Sequence, residues 1–290
     1  MFPYVSSTVI QAMNRIKILS RHLSSSSSST QKKPVILILG AGRGIGGNVA
    51  NLFAANGYHA VLCRRSDQST LDTQVSNIKQ NGGDASGFLL DATSENAIED
   101  LINTVEKDIG EIDVAVYNLG AQIGTRSLED TSLQTFELGW KMGCQGLFRL
   151  AKSICPLMEA RRKGTLLVTS ATSAVRGNAG QHSHAAAMGG RRMLCQTLNA
   201  EYAPRNIHVS HIVVDGAVDA PDTLGKMLGD NFESYKTFKG EDGLLEPSSI
   251  AETYWHLHSQ HRSAWTFEID LRSYTDNAWF NSPVNMGKKF

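Results

Sequence analysis

The amino-acid sequence predicts an α/β fold, in which one doubly wound parallel sheet of about seven strands carries helices on both faces. Short runs of apolar and β-branched residues recur along the chain, without the polar alternation of a half-exposed strand. Segments with helical periodicity separate these runs. Strands that are apolar throughout and are joined through helices belong to a parallel sheet that is covered on both faces.

The predicted strands are the apolar runs that are bounded by turn residues or by helical segments. The first run, VILIL, contains no polar residue at all, which is typical of a strand at the centre of a sheet. The predicted strands are Val35–Leu39, His59–Cys63, Ser86–Leu90, Asp113–Tyr117, Thr165–Ser170, His208–Val214 and Trp265–Leu271.

The predicted helices lie between these strands, where apolar residues recur with helical spacing. The first helix opens directly behind a glycine-rich turn, and the paired glycines Gly82 and Gly83 end the second. The helices are predicted to begin at about Gly44 and then to cover Leu71–Gln80, Ala97–Ile109, Leu133–Glu159, His184–Tyr202 and Ser249–Leu257.

Residues 1–32 differ in kind from the rest of the chain. They contain no acidic residue, and the first acid of the chain is Asp67. Apolar residues between Val9 and Leu23 share one helical face, Arg15 and Lys17 lie off that face, and a serine run follows. This combination is typical of a transit peptide, so we expect import into the mitochondrial matrix. The alternative is a disordered tail on a cytoplasmic protein; in both cases the folded domain is expected over residues 33–290.

The charge balance and the apolar runs indicate which classes of partner are not expected. Lysine and arginine number 28, as do aspartate and glutamate, and the leader is basic, so the remaining domain is mildly acidic. A domain without a basic stripe argues against nucleic acid as a partner. No apolar run reaches membrane-spanning length, so no membrane span is expected. The four cysteines are scattered, and we expect buried free thiols.

A glycine-rich turn connects the first strand to the first helix. Gly40, Gly44 and Gly46 form G-x-x-x-G-x-G, with Ile45 between the last two glycines. Glycines let a pyrophosphate approach the backbone, and the amino end of the helix offers N–H groups and a positive dipole end. The position between strand and helix therefore predicts a Rossmann-type dinucleotide site. The alternative is a glycine-rich turn that binds no ligand.

Basic residues follow the second strand, at the position that distinguishes the two nicotinamide dinucleotides. An acidic side chain at this position binds the ribose hydroxyls of NAD, whereas Arg64 and Arg65, together with Arg43 in the glycine turn, suit a 2′-phosphate. We therefore predict NADP(H) in preference to NAD(H). In the alternative interpretation these arginines face solvent. Asp91, after the third strand, is a candidate acceptor for the adenine amino group.

These features together resemble the short-chain dehydrogenase/reductase family over about Lys33 to Leu271. The turn YNLG matches the family's turn under the adenine ring, with Asn118 and Gly120 kept, and segments such as VTSATSAVRGNAGQ resemble an atypical branch. The resemblance implies a seven-stranded parallel sheet, a nicotinamide cofactor across the strand ends and oxidoreduction of a small carbonyl or alcohol. It also implies a homo-oligomer that is built on the two longest predicted helices.

The residues that carry catalysis in this family are replaced. By the resemblance, the family's asparagine falls at Gly143, its serine at Ala171, its tyrosine at His184 and its lysine at Met188. Ser170 and Thr172 flank Ala171, and either of them could orient a substrate carbonyl if the loop shifts by one residue; we take Ser170 as the candidate. Ser170 and His184 are therefore the two candidate catalytic residues.

His184 is a candidate general acid or base, because a free imidazole has a pKa of about 6.5, much closer to neutrality than a phenol. An imidazole needs no lysine to lower its pKa. The loss of the lysine at Met188 is therefore chemically consistent with the replacement of the tyrosine by His184. The alternative is a retired site, in a chain that serves as a nucleotide-bound structural or assembly subunit. The sequence leaves both interpretations open.

Two further features of the sequence bear on function. The segment Ala220–Leu245 is mixed in polarity and rich in glycine, which suits a mobile substrate lid and an ordinary surface loop equally. Histidines such as His182 and His184 have spacings seen in metal sites, but they lack cysteine or acidic partners. No metal site is therefore predicted.

Overall fold

The strand VILIL, which we label β1 (Val35–Leu39), lies inside the sheet with every residue fully buried. Its side chains alternate between two core layers, because successive residues of a strand point to opposite faces. The computed structural model describes residues 32–120 and 124–281, so the predicted leader lies outside the described residues except for Lys32. The described residues from Lys33 onward belong to one compact unit.

The described chain forms a seven-stranded sheet in the order β3-β2-β1-β4-β5-β6-β7, and every neighbouring pair is parallel. The further strands are β2 (His59–Arg64), β3 (Asp84–Leu89), β4 (Ile112–Tyr117), β5 (Gly164–Ala171), β6 (Ile207–Val214) and β7 (Glu268–Leu271). The predicted fold class is confirmed.

The last strand begins at Glu268, later than the predicted start at Trp265. The indole N–H of Trp265 donates to the carbonyl of Gln260, and its ring stacks on His208 at 4.8 Å. The backbone N–H of Thr266 donates to the side chain of Gln260. These contacts hold the first residues of the apolar run in a loop, so the run starts to pair with β6 only after them.

The predicted helices occur in the predicted order, and one helix that was not predicted, Phe232–Lys239, lies within the segment Ala220–Leu245. The helices are α1 (Ile45–Ala55), α2 (Gln68–Gln80), α3 (Ala97–Thr104), α4 (Leu133–Trp140), α5 (Gly146–Arg161), α6 (His182–Tyr202), α7 (Phe232–Lys239) and α8 (Pro247–Ser259). The helix predicted over Leu133–Glu159 is interrupted by a π turn at Lys141–Gln145, and α3 continues into a second π turn at Val105–Ile109. Helix α2 begins before the predicted Leu71, because the Asp67 carboxylate caps it by accepting from the N–H of Thr70.

Helices cover both faces of the sheet. Helices α3, α5 and α6 bury side chains such as Ile102, Ile154 and Cys195 in one core layer. Helices α1, α2 and α8 bury side chains such as Phe53 and Tyr254 in the other. The four cysteines are free and buried, as predicted. In the described ranges no helix is long and apolar enough to cross a membrane.

The strand order changes direction at β1, which pairs with β2 on one side and with β4 on the other. The connections that leave the neighbouring strands therefore diverge, and a crevice opens at the carboxyl ends of β1 and β4. The glycine turn follows β1, and the YNLG turn begins at the end of β4. The topology thus brings together two turns that lie far apart in the sequence.

Candidate functional site

A cavity of about 360 Å³ occupies this crevice, within the size range of small-molecule sites. Every residue predicted to bind the cofactor lines it except Arg43: Gly40, Gly44, Ile45, Gly46, Arg64, Arg65, Asp91, Asn118 and Gly120. The opposite wall comes from the segment that follows β6, with Val218, Ala220, Asp222, Thr223 and Lys226. The sequence did not indicate which residues of this second wall face the cavity.

Close backbone contacts explain two glycines of the turn. Gly40 has φ +102°, a left-handed conformation that favours glycine. A Cβ at Gly46 would lie 2.3 Å from the carbonyl oxygen of Gly40, so no side chain fits there. Gly44, at the N-cap of α1, offers no side chain to cap the helix. The amino end of α1 therefore faces the cavity with backbone N–H groups.

Asn118 joins the ends of β1 and β4. Its side-chain amide donates to the carbonyl of Gly40 at 2.8 Å, and its backbone N–H donates to the carbonyl of Leu39 at 2.8 Å. Asn118 thus holds the glycine turn in place while it lines the cavity. At Gly120 a Cβ would meet no atom of the described residues within 4 Å, so their packing gives no reason for a glycine there.

The carboxylate of Asp222 lies between two of the arginines that were predicted to bind the 2′-phosphate. It accepts from the backbone N–H of Arg43 at 2.9 Å, and from Nε and Nη2 of that residue at 3.0 and 2.8 Å. Nη2 of Arg64 lies 3.6 Å from the same carboxylate and 3.4 Å from Asp67. The Arg64 side chain is only 11% exposed, so the interpretation that it faces solvent is wrong for this residue.

The Arg64 guanidinium still has a spare donor. Its Nη1 is buried and has no hydrogen-bond partner among the described residues. Burial alone would raise the pKa of Asp222, but the hydrogen bonds and charge of Arg43 and the charge of Arg64 lower it on balance. Asp222 is therefore ionised at neutral pH. The sequence placed Asp222 in a lid or loop and gave no sign of this pairing.

Asp91 stands at the cavity rim in its ionised form. The hydroxyl and the backbone N–H of Thr93 both donate to its Oδ1, at 2.6 and 2.9 Å. These two hydrogen bonds hold the pKa of Asp91 below its ordinary value, and the bond from the hydroxyl has the larger effect. The carboxylate is thus held as an ionised hydrogen-bond acceptor at the cavity, and its contact with an adenine amino group stays a prediction.

The two candidate catalytic residues are buried and do not line the cavity at the glycine turn. The Ser170 hydroxyl donates to the sulfur of Met188 at 3.9 Å, which is a weak hydrogen bond because a thioether sulfur is a weak acceptor. His184 lines a separate small cleft, together with Gly124 and His182. Residues 121–123 lie outside the described residues. The structure thus brings Ser170 to Met188 but gives His184 a different cleft.

Arg191 is a residue of this region that the sequence reasoning missed. His184, Met188 and Arg191 have helical spacings of four and three, so they share one face of α6. The spacing was the available signal, but a charged residue on a buried face was not anticipated. Arg191 is only 2% exposed, and its guanidinium lies 5.0 Å from the centroid of the Tyr117 ring.

The Arg191 guanidinium binds backbone carbonyls from three parts of the site. Nε donates to Gly143 in the π turn at 2.6 Å, Nη1 to Thr169 in β5 at 2.6 Å, and Nη2 to Leu119 after β4 at 2.8 Å. Burial lowers the pKa of Arg191, yet an arginine side chain stays protonated in proteins. A buried cation therefore lies one helical turn beyond Met188.

Histidines elsewhere are used in hydrogen bonds. His258 bonds to the Tyr58 hydroxyl at 2.6 Å and the Thr165 hydroxyl at 2.9 Å, and His256 bonds to Gln260. Across residues 32–120 and 124–281, no group of three histidine, cysteine, aspartate or glutamate side chains is placed to hold a metal ion.

Comparison with known proteins gives consistent matches. Residues 34–225 match the sequence profile described as short chain dehydrogenase. The short-chain reductase protein NovJ of Streptomyces niveus is 30% identical over 231 residues, which cover 78% of this chain and 87% of that protein. A 3-oxoacyl-(acyl-carrier-protein) reductase of Synechocystis is 28% identical over 242 residues, which cover 81% and 95%. A short-chain dehydrogenase structure from Rhodopseudomonas palustris has a TM-score of 0.70 at 29% identity, covering 83% of this chain and 99% of that one.

Proposed function

The chain belongs to the short-chain dehydrogenase/reductase family, and on this premise we propose that it is an NADP(H)-dependent oxidoreductase of a small carbonyl or alcohol. The observation that carries the proposal is the cavity at the point where the strand order reverses. There the glycine turn, Asp91 and two arginines line one space. Open parallel sheets bind their nucleotide ligands at this place.

The lining residues fit a dinucleotide with a 2′-phosphate. The backbone at Gly44–Gly46 presents the amino end of α1 to a pyrophosphate. Nη1 of Arg64 is a buried donor without a partner in the described chain, and a phosphate oxygen is a suitable acceptor for it. Arg65 lines the same cavity and adds positive charge. When bound, NADPH supplies the hydride that reduces a carbonyl carbon.

The proton chemistry is assigned to α6 and β5. We assign to the His184 imidazolium the transfer of a proton to the substrate oxygen in reduction, and its uptake in oxidation. We assign to the Ser170 hydroxyl the orientation of the substrate oxygen, which requires the hydroxyl to turn away from the sulfur of Met188. Met188 can offer neither the charge nor the donors of a lysine. Arg191 holds the carbonyl of Thr169, next to Ser170, and so acts as a positioning residue.

The cofactor assignment is tested by fluorescence titration of the full chain with NADPH and with NADH. We expect a submicromolar Kd for NADPH and binding of NADH that is weaker by about tenfold or more. Arg64→Leu should abolish the preference, whereas the matched change Arg205→Leu, at an exposed residue outside the cavity, should leave it intact. Equal affinities for the two cofactors, or no binding of either, would contradict the assignment.

The catalytic assignment is tested with a panel of carbonyl substrates, including a 3-oxoacyl thioester because one relative reduces that class. His184→Phe should abolish NADPH oxidation while leaving the Kd for NADPH unchanged. The double variant His184→Tyr with Met188→Lys rebuilds the family's pair and should recover turnover. Undiminished turnover in His184→Phe would refute the role of His184. NADPH binding with no turnover on any substrate would favour the retired, non-catalytic alternative.

We also propose that residues 1–32 direct the protein to the mitochondrial matrix. The proposal is supported by the composition of these residues, which is acid-free, basic and rich in serine. A full-length fusion to a fluorescent protein should co-localise with a matrix marker, and replacing Arg15, Lys17 and Arg21 with glutamate should disperse it. Dispersed fluorescence of the unchanged chain would refute the proposal.

We propose homo-oligomerisation through the outer surface of α4, α5 and α6. Several large apolar side chains there are exposed in the single chain, among them Trp140 at 44%, Phe148 at 52% and Met193 at 53%. A groove of about 530 Å³ lies beside them, lined in part by Phe136 and Leu194. An apolar patch of this kind is typical of a protein–protein interface.

A further inference from the structure

The carboxylate of Asp222, in the segment Ala220–Leu245, lies in a cluster of cations. Arg43 forms three hydrogen bonds to it, the Arg64 guanidinium lies 3.6 Å away, and Lys226 lies 3.8 Å away. The Asp222 side chain is only 9% exposed, although the Arg43 and Lys226 side chains are 52% and 65% exposed. The acidic partner is thus the shielded member of the cluster.

The positive charge around Asp222 exceeds the negative charge of its carboxylate. Three cations surround one carboxylate, and the other acid nearby, Asp67, contacts only Arg64 among them. Nη1 of Arg64 is buried without a partner in the described chain. A phosphate monoester carries a charge of about −1.5 to −2 and three acceptor oxygens, so it satisfies more of these donors than one carboxylate does.

The same segment contacts the glycine turn. A Cβ at Gly44 would lie 2.8 Å from the Cβ of Ala220, two residues before Asp222. The backbone N–H of Arg43, within the glycine turn, is itself one of the donors to Asp222. The position of the Pro221–Gly225 turn is therefore linked to the group that occupies the arginine cluster.

On the basis of the cofactor proposed above, we propose that Asp222 is an internal competitor for the 2′-phosphate of NADP(H) and thereby a specificity-determining residue. Its carboxylate takes the acceptor position between Arg43 and Arg64, and a 2′-phosphate must displace it. NADH carries no phosphate and leaves the Asp222 contacts in place. Asp222 therefore weakens NADP(H) binding selectively, and its displacement releases the lid turn at Pro221–Gly225.

The test is titration of the full chain and its Asp222→Asn variant with NADPH and with NADH. We expect Asp222→Asn to tighten NADPH binding about tenfold, a modest factor because half of the Arg43 side chain is solvated, and to change NADH binding by less than about threefold. In an Arg43→Met background the same substitution should tighten NADPH binding by a clearly smaller factor, because one of the two arginines that Asp222 and the phosphate share is gone and only Arg64 remains.

Asp219→Asn is the matched control. Asp219 pairs with Lys236 at 2.6 Å just before the turn, so its loss loosens the same segment without touching the arginine cluster. NADPH affinity should not change in this variant. As a readout apart from affinity, NADPH but not NADH should speed amide hydrogen exchange at residues 221–228 of the unchanged chain.

The possible outcomes separate this inference from the proposed cofactor. If Asp222→Asn tightens the binding of NADPH and NADH by the same factor, Asp222 restrains the segment against both cofactors, and competition with the phosphate is overturned. Weaker NADPH binding in Asp222→Asn would show that Asp222 positions Arg43, which also overturns it. If the unchanged chain prefers NADPH and Asp222→Asn alters neither affinity, only this inference fails. If neither cofactor binds to either protein, both proposals fail.

Discussion

Replacement of Arg191 by methionine should be among the most destabilising single changes in the described chain. The substitution keeps a long, flexible side chain but removes every donor of the guanidinium. The carbonyls of Leu119, Gly143 and Thr169 then lose hydrogen bonds of 2.6 to 2.8 Å at a buried position. The carbonyl of Met142 loses only a long contact of 3.5 Å and keeps the Tyr117 hydroxyl.

The magnitude follows from these three carbonyls. An acceptor that is left unsatisfied in the interior costs about 1–3 kcal/mol, but removing the guanidinium also removes the cost of burying its charge. Taking the lower bound for each carbonyl, we expect a loss of about 3 kcal/mol in the free energy of unfolding. Arg191→Lys keeps the charge but not the planar fork, so it should lose less than Arg191→Met.

Urea unfolding of the full chain, followed by circular dichroism and by tryptophan fluorescence, measures this loss. Arg192→Met is the matched control, because Arg192 is the next residue and pairs with Glu268 near the surface. It should lose no more than about 1 kcal/mol. A loss below about 1 kcal/mol for Arg191→Met, or one equal to that of Arg192→Met, would refute the reasoning. Arg191→Met should also weaken NADPH binding, since the Leu119 carbonyl adjoins the cavity turn.

Three further predictions address the turn, pH and assembly. Gly46→Ala should lower both the melting temperature and NADPH affinity, because its Cβ would lie 2.3 Å from a backbone oxygen. Gly189→Ala, where a Cβ meets nothing within 4 Å, should instead stabilise the helix by about 0.5–1 kcal/mol; the opposite order in thermal unfolding would contradict this. Burial lowers the pKa of His258 to about 4, because the folded chain favours the neutral imidazole. The stability that neutral His258 contributes is therefore complete above pH 6.5, and it is lost as the pH falls towards 4 and the unfolded chain takes up the proton. When the pH falls from 6.5 to 4, the free energy of unfolding of the unchanged chain should fall by about 3 kcal/mol more than that of His258→Gln, as measured by urea unfolding at each pH. The same pH dependence of the free energy of unfolding in both proteins would refute the effect. Phe148→Glu should shift the protein to a smaller species in analytical ultracentrifugation without loss of helicity, and a monomeric unchanged chain would contradict the proposed interface.

The sequence determined the sheet, the order of its elements and the glycine turn, because each of these depends on local properties of the chain. A run such as VILIL is apolar on both faces, and only a strand covered on both sides can bury it. Gly40 and Gly46 reflect backbone demands of the turn itself. Boundaries were less predictable: β7 starts at Glu268 because a neighbouring loop binds the first residues of its apolar run.

The tertiary structure alone decided which charges meet. Asp222 and Arg43 are 179 positions apart, and nothing in the type or spacing of either residue names the other as its partner. Arg191 has helical spacing with His184, yet its partners are backbone carbonyls of a strand, a turn and a π turn, which no side-chain pattern encodes. The burial of His184 in its own cleft likewise depends on how α6 packs. Local sequence specifies elements through propensity and periodicity, whereas electrostatic partners are specified by the folded geometry that brings distant turns to one edge of the sheet.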